Sequence, residues 1–290
     1  MERLERARIE TLLRTVHWGR NLILLERTGS TNDVAKGMAA EGAPEGTVVV
    51  AEEQTAGRGR LGRRWVAPPG TCLLCSLLFR PALPLSRANW LTMLTSMAAA
   101  DAIREQTGLR VDLKWPNDLV VPARGADRRT RAWRKLAGVL TETGVRGERL
   151  DFVIVGIGIN VNVPPDLLPG LAPDATSVLA ETGREADRAL LLATFLREVE
   201  RRYEALWTGK SPYREWAARL ATIGKRVRVT TSTASFVGVA EGVDEEGALL
   251  LRTEDGICHR LLAGDVTLRS LPRSLDESSD TGVGPPDRRT

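Results

Sequence analysis

Apolar positions along the chain recur with two different periods, and the change from one to the other marks out its elements. A short helix is predicted over the first residues. "NLILLERT", "GTVVVAEEQ" and "TCLLCSLLFR" are compact apolar runs bounded by turn residues, as strands are. Between the first two, "GSTNDVAKGMAAEG" has helical spacing: Ser30, Thr31 and Asn32 are N-cap candidates, Val34, Ala35 and Met38 form an inward stripe, and Gly42 stops it. A longer helix is predicted between Ser86 and Gly108, with Trp90, Leu91, Leu94, Ala98 and Ile103 on a helical repeat. "VDLKWPNDLVV", "KLAGVLTETG" and "RLDFVIVGIGINVNV" follow as three strand-like runs. Asp187 to Trp207 carries Leu191, Phe195, Val199, Tyr203 and Leu206 on one side of an amphipathic helix that Gly209 ends.

From about Ile223 the texture changes. "KRVRVT", "SFVGVAEGV", "ALLLRT" and "CHRLLAGDVTLR" are short strands at close intervals, which predicts a small β-barrel. The last stretch, "LPRSLDESSDTGVGPPDRRT", has too little apolar content to fold and reads as a disordered tail. The expected organisation is a large domain over 1–220, a barrel over 221–271 and a tail over 272–290. A chain of 290 residues, 42% hydrophobic, is long enough for this.

No apolar run approaches the ~18 residues that a membrane span needs. The start, "MERLERARIETLL", lacks a signal peptide's apolar centre, so no membrane partner and a cytoplasmic location are expected. The formal charge of +4 permits an anionic substrate or nucleic acid without requiring either. Cys72 and Cys75 form a C-x-x-C inside a strand, where residues three apart face opposite ways and cannot share a zinc ion. With two histidines in the chain, no metal site is predicted.

"GRGRLG", Gly57 to Gly62, fits the letters of a dinucleotide fingerprint. That motif works when a strand runs directly into the glycine turn and a helix starts beyond it. Here "EEQTA" separates the strand from Gly57, and "RRWVAPPG" cannot start a long helix, so the Rossmann reading fails. The loop instead interleaves Arg58, Arg60, Arg63 and Arg64 with glycines, a composition suited to closing over a phosphate. Three further groups accompany it. In "KWPND", Pro116 fixes a turn between Lys114 and Asp118; in "KLAG", Lys135 enters a strand beside Gly138; in "GIGIN", Gly156 and Gly158 open space on one strand face before Asn160.

In this order, "GSTN", "EEQTAGRGRLGRRW", "KWPND", "KLAGVL" and "GIGINV" closely resemble the biotin protein ligases, over about residues 24 to 268. The resemblance implies an α+β fold: a class II synthetase-like, biotin-lipoate ligase catalytic domain, with a mixed sheet flanked by helices, and a C-terminal SH3-like β-barrel. It also implies activation of biotin with ATP and Mg²⁺ to biotinyl-5′-adenylate, then transfer to a lysine of a biotin carboxyl carrier protein domain. Ser30, Thr31, Asn32 and Gln54 would contact the ureido ring. Gly57, Arg58, Gly59 and Arg60 would form the loop that orders over biotin and the adenylate, and Trp65 would pack on the adenine side. Lys135 would hold biotin's carboxylate and the bridging phosphate, with Lys114 and Asp118 beside the reacting phosphate. Gly138 and Gly158 would line the slot for ring and tail, with Asn160 next to it. Asp118 would orient the incoming amine, as base or as anchor.

Two features depart from that pattern. An Arg-rich insertion between Val121 and Lys135 lengthens a loop near these residues, either touching the carrier or hanging free. About twenty residues precede the first strand, too few for a helix-turn-helix domain, so the expectation is a monofunctional ligase with no specific DNA partner, monomer or homodimer. The competing readings are a lipoate or octanoate ligase on the related fold and, more remotely, a basic nucleic-acid-binding protein.

Overall fold

The computed structural model describes residues 3–123, 133–147 and 149–267. The Arg-rich insertion and the predicted tail lie outside the described residues, apart from the insertion's ends. The first elements are α1 (Arg6–Leu12), β1 (Leu22–Thr28), α2 (Thr31–Ala40), β2 (Val48–Gln54), β3 (Cys72–Phe79) and α3 (Asn89–Thr107). They are followed by β4 (Asp112–Lys114), β5 (Asp118–Pro122), β6 (Trp133–Arg146), β7 (Arg149–Asn160), α4 (Val178–Thr182), α5 (Arg188–Trp207) and α6 (Tyr213–Ala218). The seven strands make one sheet in the order β1-β2-β3-β7-β6-β5-β4, parallel between β1 and β2 and antiparallel elsewhere.

Each residue of β3 is buried, because helices cover both faces of the sheet. That explains its uninterrupted "CLLCSLLF". Leu73, Cys75, Leu77 and Phe79 meet α3 and α5 in the main core, while Leu78 joins Ala35 and Ala39 of α2 on the other side. Phe79, Trp18 and Tyr203 lock the α5 side together with ring centroids 4.4 to 5.7 Å apart. A buried ion pair crosses the same layer: Arg188 Nη1 lies 2.6 Å from Glu52 Oε2, and Glu52 Oε1 also accepts the amide of Leu4 at 2.6 Å.

Two local expectations need correction, and two short helices were not foreseen. "VDLKWPNDLVV" is two strands, β4 and β5, because the chain reverses at Trp115–Asn117 and brings Lys114 opposite Asp118. Ser30 is the N-cap of α2, but its side chain makes no capping bond; Thr31 and Asn32 lie within the helix, and the Thr31 amide donates to Gln54 Oε1 at 2.7 Å. The short helices α4 and α6, five and six residues long, fall below the length at which periodicity is visible. Gly42 ends α2 as expected, with φ +89° and Ala43 bonding back to Met38.

The C-terminal strands β8 (Arg226–Thr230), β9 (Ser235–Val243), β10 (Leu249–Thr253), β11 (Cys258–Leu261) and β12 (Asp265–Thr267) form an antiparallel sheet in the order β11-β10-β9-β8-β12. Its hydrogen-bonded strip does not close between β11 and β12 among the described residues, where a barrel had been expected. Indole donors pin it to the larger domain: Trp115 Nε1 of the β4–β5 turn to the Gly247 carbonyl and Trp90 Nε1 of α3 to the Glu245 carbonyl, both at 2.8 Å. No helix among the described residues is long and apolar enough to cross a membrane.

Removing one partner of a buried ion pair strands the other charge. Glu52→Gln is therefore expected to lower unfolding stability by about 3 kcal/mol, read from the shift of the urea midpoint at unchanged m-value.

Candidate active site

A cleft of about 840 Å³ opens where the C-terminal ends of β2 and β7, the start of β6, the β4–β5 turn and the loop 57–65 converge. Every residue that the sequence nominated lines it except Gly57. Gly57 stands behind the cleft, where its carbonyl accepts the Trp65 amide at 2.9 Å and an added Cβ would lie 2.5 Å from the Trp65 carbonyl oxygen. The two arms of the loop meet there.

One end of the cleft is a connected set of polar groups. Gln54 Oε1 accepts from the Thr31 amide and, at 3.0 Å, from Thr31 Oγ1. Ser76 Oγ lies 2.8 Å from Thr31 Oγ1 and 2.6 Å from Asn32 Oδ1. Asn32 Nδ2 donates to Glu142 Oε2 at 2.8 Å. Ser30, Thr31 and Asn32 are all buried. This proximity to the sheet depends on Gly156, since a Cβ there would stand 2.1 Å from Asn32 Oδ1.

Gly138 and Gly158 face each other across β6 and β7, and the Trp65 indole lies over both. An added Cβ would come within 3.1 Å of the indole at Gly138 and 2.5 Å at Gly158. The slot predicted between these glycines therefore holds Trp65 in this structure. Its buried Nε1 makes no hydrogen bond to protein. Asn160 is committed to its own fold: Nδ2 donates to the Thr176 carbonyl at 2.9 Å and Oδ1 faces the Cys72 thiol at 3.7 Å.

Charge gathers at the other end. Lys135 Nζ lies 2.7 Å from Asp118 Oδ1 and 5.6 Å from the centre of the Trp65 ring, within cation–π range. Burial pulls the Arg60 guanidinium below its ordinary pKa, while Asp118 and Asp265 oppose that shift. Arg58, Arg60, Arg63, Arg64, Lys114 and Lys135 face three carboxylates, Asp118, Asp174 and Asp265, so the cleft is net cationic. It can take up anionic groups at this end and a neutral polar ring at the other.

The loop is fastened at both ends. Arg58 makes two bonds to Asp33, at 2.6 and 2.9 Å, which raise its pKa, and a third to Glu142 at 3.1 Å. Arg63 pairs with Asp265 of β12. Between them, Leu61 sits at φ +54°, a backbone region that disfavours a bulky side chain, with its side chain largely exposed.

Sequence reasoning missed Glu142, Asp265 and the 171–175 segment that flanks Lys135. The Lys135 amide donates to the Asp174 carbonyl at 2.6 Å. Glu142 lies in the "KLAGVLTETG" run four positions from Gly138, so the strand's alternation places it on the same face as that glycine. Asp265 lies 205 positions from Arg60, and nothing in its local sequence marks it. Cys72 and Cys75 face different cores, as expected, and burial raises their thiols to about 11 and about 12.

Comparison with known proteins finds the Biotin/lipoate A/B protein ligase family matching residues 24–160 and the Biotin protein ligase C terminal domain matching residues 222–269. The chain is 37% identical over 269 residues to the Bifunctional ligase/repressor BirA of Bacillus subtilis, covering 92% of this chain and 79% of that protein. It is 36% identical over 240 residues to the Biotin--[acetyl-CoA-carboxylase] ligase of Mycobacterium tuberculosis, covering 80% and 83% respectively. Among solved structures, the biotin protein ligase from Aquifex aeolicus in complex with biotin and ATP superposes with a TM-score of 0.68 at 29% identity, over 86% of this chain and 99% of that one.

Two outcomes are expected from this geometry. Gly158→Ala displaces Trp65 and changes the near-UV circular dichroism, at a stability cost of about 1–3 kcal/mol. With an aromatic disulfide reagent at pH 8, the exposed Cys258 reacts at once in the native protein, and Cys72 and Cys75 react after denaturation.

Proposed function

This chain belongs to the biotin protein ligase family, and on that premise we propose how its cleft divides the work. The reaction has two halves. Biotin's carboxylate attacks the α-phosphorus of ATP, the bond to pyrophosphate breaks, and biotinyl-5′-adenylate forms. A lysine amine of a carboxylase's biotin carboxyl carrier domain then attacks the acyl carbon, and AMP leaves. Both reactants of the first half are anions, so alignment and charge neutralisation carry the catalysis.

The observation that carries this reading is the union, in one cleft, of a polar pocket built on Thr31, Gln54 and Asn32 with a cationic end built on Lys135, Lys114 and Arg60. Thr31, Asn32 and Gln54 bind the ureido ring at the mouth of α2, with Ser30 beside them. Lys135 exchanges Asp118 for the substrate carboxylate and the phosphate that joins it. Lys114 sits opposite Asp118 across the β4–β5 hairpin and neutralises the same phosphate. Arg58, Gly59 and Arg60 close over the adenylate, Gly57 holds the loop's two arms together, and Trp65 moves from the glycine floor to the adenine side. Gly138 and Gly158 then accommodate ring and tail, and Asn160 keeps the floor in place. In the second half Asp118 orients the carrier's amine, which must shed a proton from a pKa of about 10.4.

Mg²⁺ enters as ATP's counter-ion. Asp118 is already paired with Lys135 and Asp265 with Arg63, a donor set that suits an ion carried on phosphate oxygens rather than an all-protein cage. It would supply charge compensation to the phosphates. The C-terminal strand order, with the last strand returning beside the first, is that of an SH3-like barrel, and we assign that architecture to it.

Lipoate and octanoate are the substrates to exclude. Neither offers a ring with hydrogen-bonding groups, so the polar set at Thr31, Asn32 and Gln54 would be left facing apolar carbon. The C-terminal match to a biotin ligase domain points the same way. As for nucleic acid, Phe236 of the C-terminal sheet is packed on His259 with ring centroids 4.7 Å apart, not open for base stacking.

ATP–pyrophosphate exchange with Mg²⁺ tests the assignment: biotin should support it, and lipoate and octanoate should not. Lys135→Ala should abolish exchange. Arg60→Gly should shorten retention of the adenylate in a filter assay and label unrelated lysines; unchanged retention refutes the closing role.

A further inference from the structure

Glu142 stands in the second half of β6, outside the set of residues assigned to binding or chemistry, yet three side chains, two from α2 and one from the glycine-rich loop, meet on its carboxylate. Asn32 Nδ2 reaches Oε2 at 2.8 Å, Lys36 Nζ reaches Oε1 at 2.8 Å, and Arg58 Nη2 reaches Oε2 at 3.1 Å. Two of these partners are fixed. Asn32 is wedged over Gly156 and bonded to Ser76, and Lys36 rides one turn further along the same helix. The third, Arg58, belongs to the glycine-rich loop. Glu142 is mostly shielded from solvent, with 24% of its side chain exposed, whereas Asp33, the other anchor of Arg58, is 52% exposed. An ion pair weakens with exposure to water, so the Glu142 side of the anchor is screened less. With Asp33, Glu142, Lys36 and Arg58 the group is charge-balanced and closes around the mouth of α2.

Resting on the ligase reading above, we infer that Glu142 is a positioning residue that couples the ring-binding end of α2 to the glycine-rich loop, by holding Asn32 and Arg58 on one carboxylate. A ring bound against Asn32 fixes the post to which Arg58 is tied, and the tied loop retains the adenylate. By linkage, a loop that is held closed also strengthens binding at the ring. Glu142 acts through Arg58 and touches no reacting atom. Burial pushes its carboxyl up, but the bonds from Lys36 and Asn32 and the charges of Lys36 and Arg58 outweigh this and bring it below the ordinary carboxylate range, in keeping with a permanently charged anchor.

The test is a double-mutant cycle on release of biotinyl-5′-adenylate, preformed on the enzyme and followed by filter retention, with Glu142→Gln, Arg58→Gln and the pair. Glutamine keeps the volume and an oxygen for Asn32. The expected result is release accelerated roughly three- to tenfold by Glu142→Gln, with no further acceleration from it once Arg58 is glutamine, and a melting temperature close to wild type. Release at the wild-type rate overturns the inference. So does an acceleration that persists in full on the Arg58→Gln background, since that would mark a general structural role. Should Glu142→Gln fail to fold, Glu142→Asp, which keeps the charge and shortens the reach, carries the same cycle. Wild-type exchange with biotin is measured alongside: its absence overturns the ligase reading itself, while its presence with unaltered release overturns the role of Glu142 alone.

Discussion

The cleft exists because β7 presents hydrogen atoms where a strand ordinarily presents side chains. Gly156 and Gly158 lie on one face of that strand, with Gly138 beside Gly158 on β6. Asn32 occupies the space over the first and Trp65 the space over the second and third, so near that a methyl group would collide at Gly156 and Gly158 and crowd the indole at Gly138. Because the backbone is bare there, the N-terminus of α2 and one arm of the loop can rest directly on the sheet. The polar pocket, the loop anchor on Glu142 and the position of Lys135 all take their geometry from that contact.

A second constraint is electrostatic. A cleft that gathers six cations would repel them apart if each lacked a partner, and the chain supplies carboxylates from distant segments to hold them: Asp118 for Lys135, Asp33 and Glu142 for Arg58, Asp265 for Arg63. These pairs are partly exposed and individually weak. At Lys135 that weakness is useful, since Asp118 can give up its cation to a substrate anion without a large penalty, and preorganised positive charge is then available where negative charge collects.

The glycine-rich loop joins the two sheets. Arg58 ties it to α2 and β6, and Arg63 to β12, with Leu61 held at positive φ between them. Strain at Leu61 and the exposed Arg63–Asp265 pair describe a segment that can rearrange at modest cost beyond its Arg58 anchor. The indoles of Trp90 and Trp115 do the opposite, fixing the C-terminal sheet to the larger domain so that Asp265 keeps its place beside the loop.

By itself the sequence determined the elements whose signal is local. The apolar run of β3, the helical stripes of α3 and α5, the stop at Gly42 and the opposed cysteines follow from periodicity and turn chemistry, and the ordered motifs named the residues that line the cleft. What it did not determine depends on groups brought together from far apart. That α2 is capped by Gln54 of β2, that Trp65 lies on two glycines of neighbouring strands, that Arg63 reaches Asp265 and that Glu142 gathers Asn32, Lys36 and Arg58 are decided by strand order and register. A one-residue slip of register turns every side chain of a strand to the other face. A pattern of residue types along one strand cannot specify which neighbour it meets, so those contacts belong to the tertiary structure.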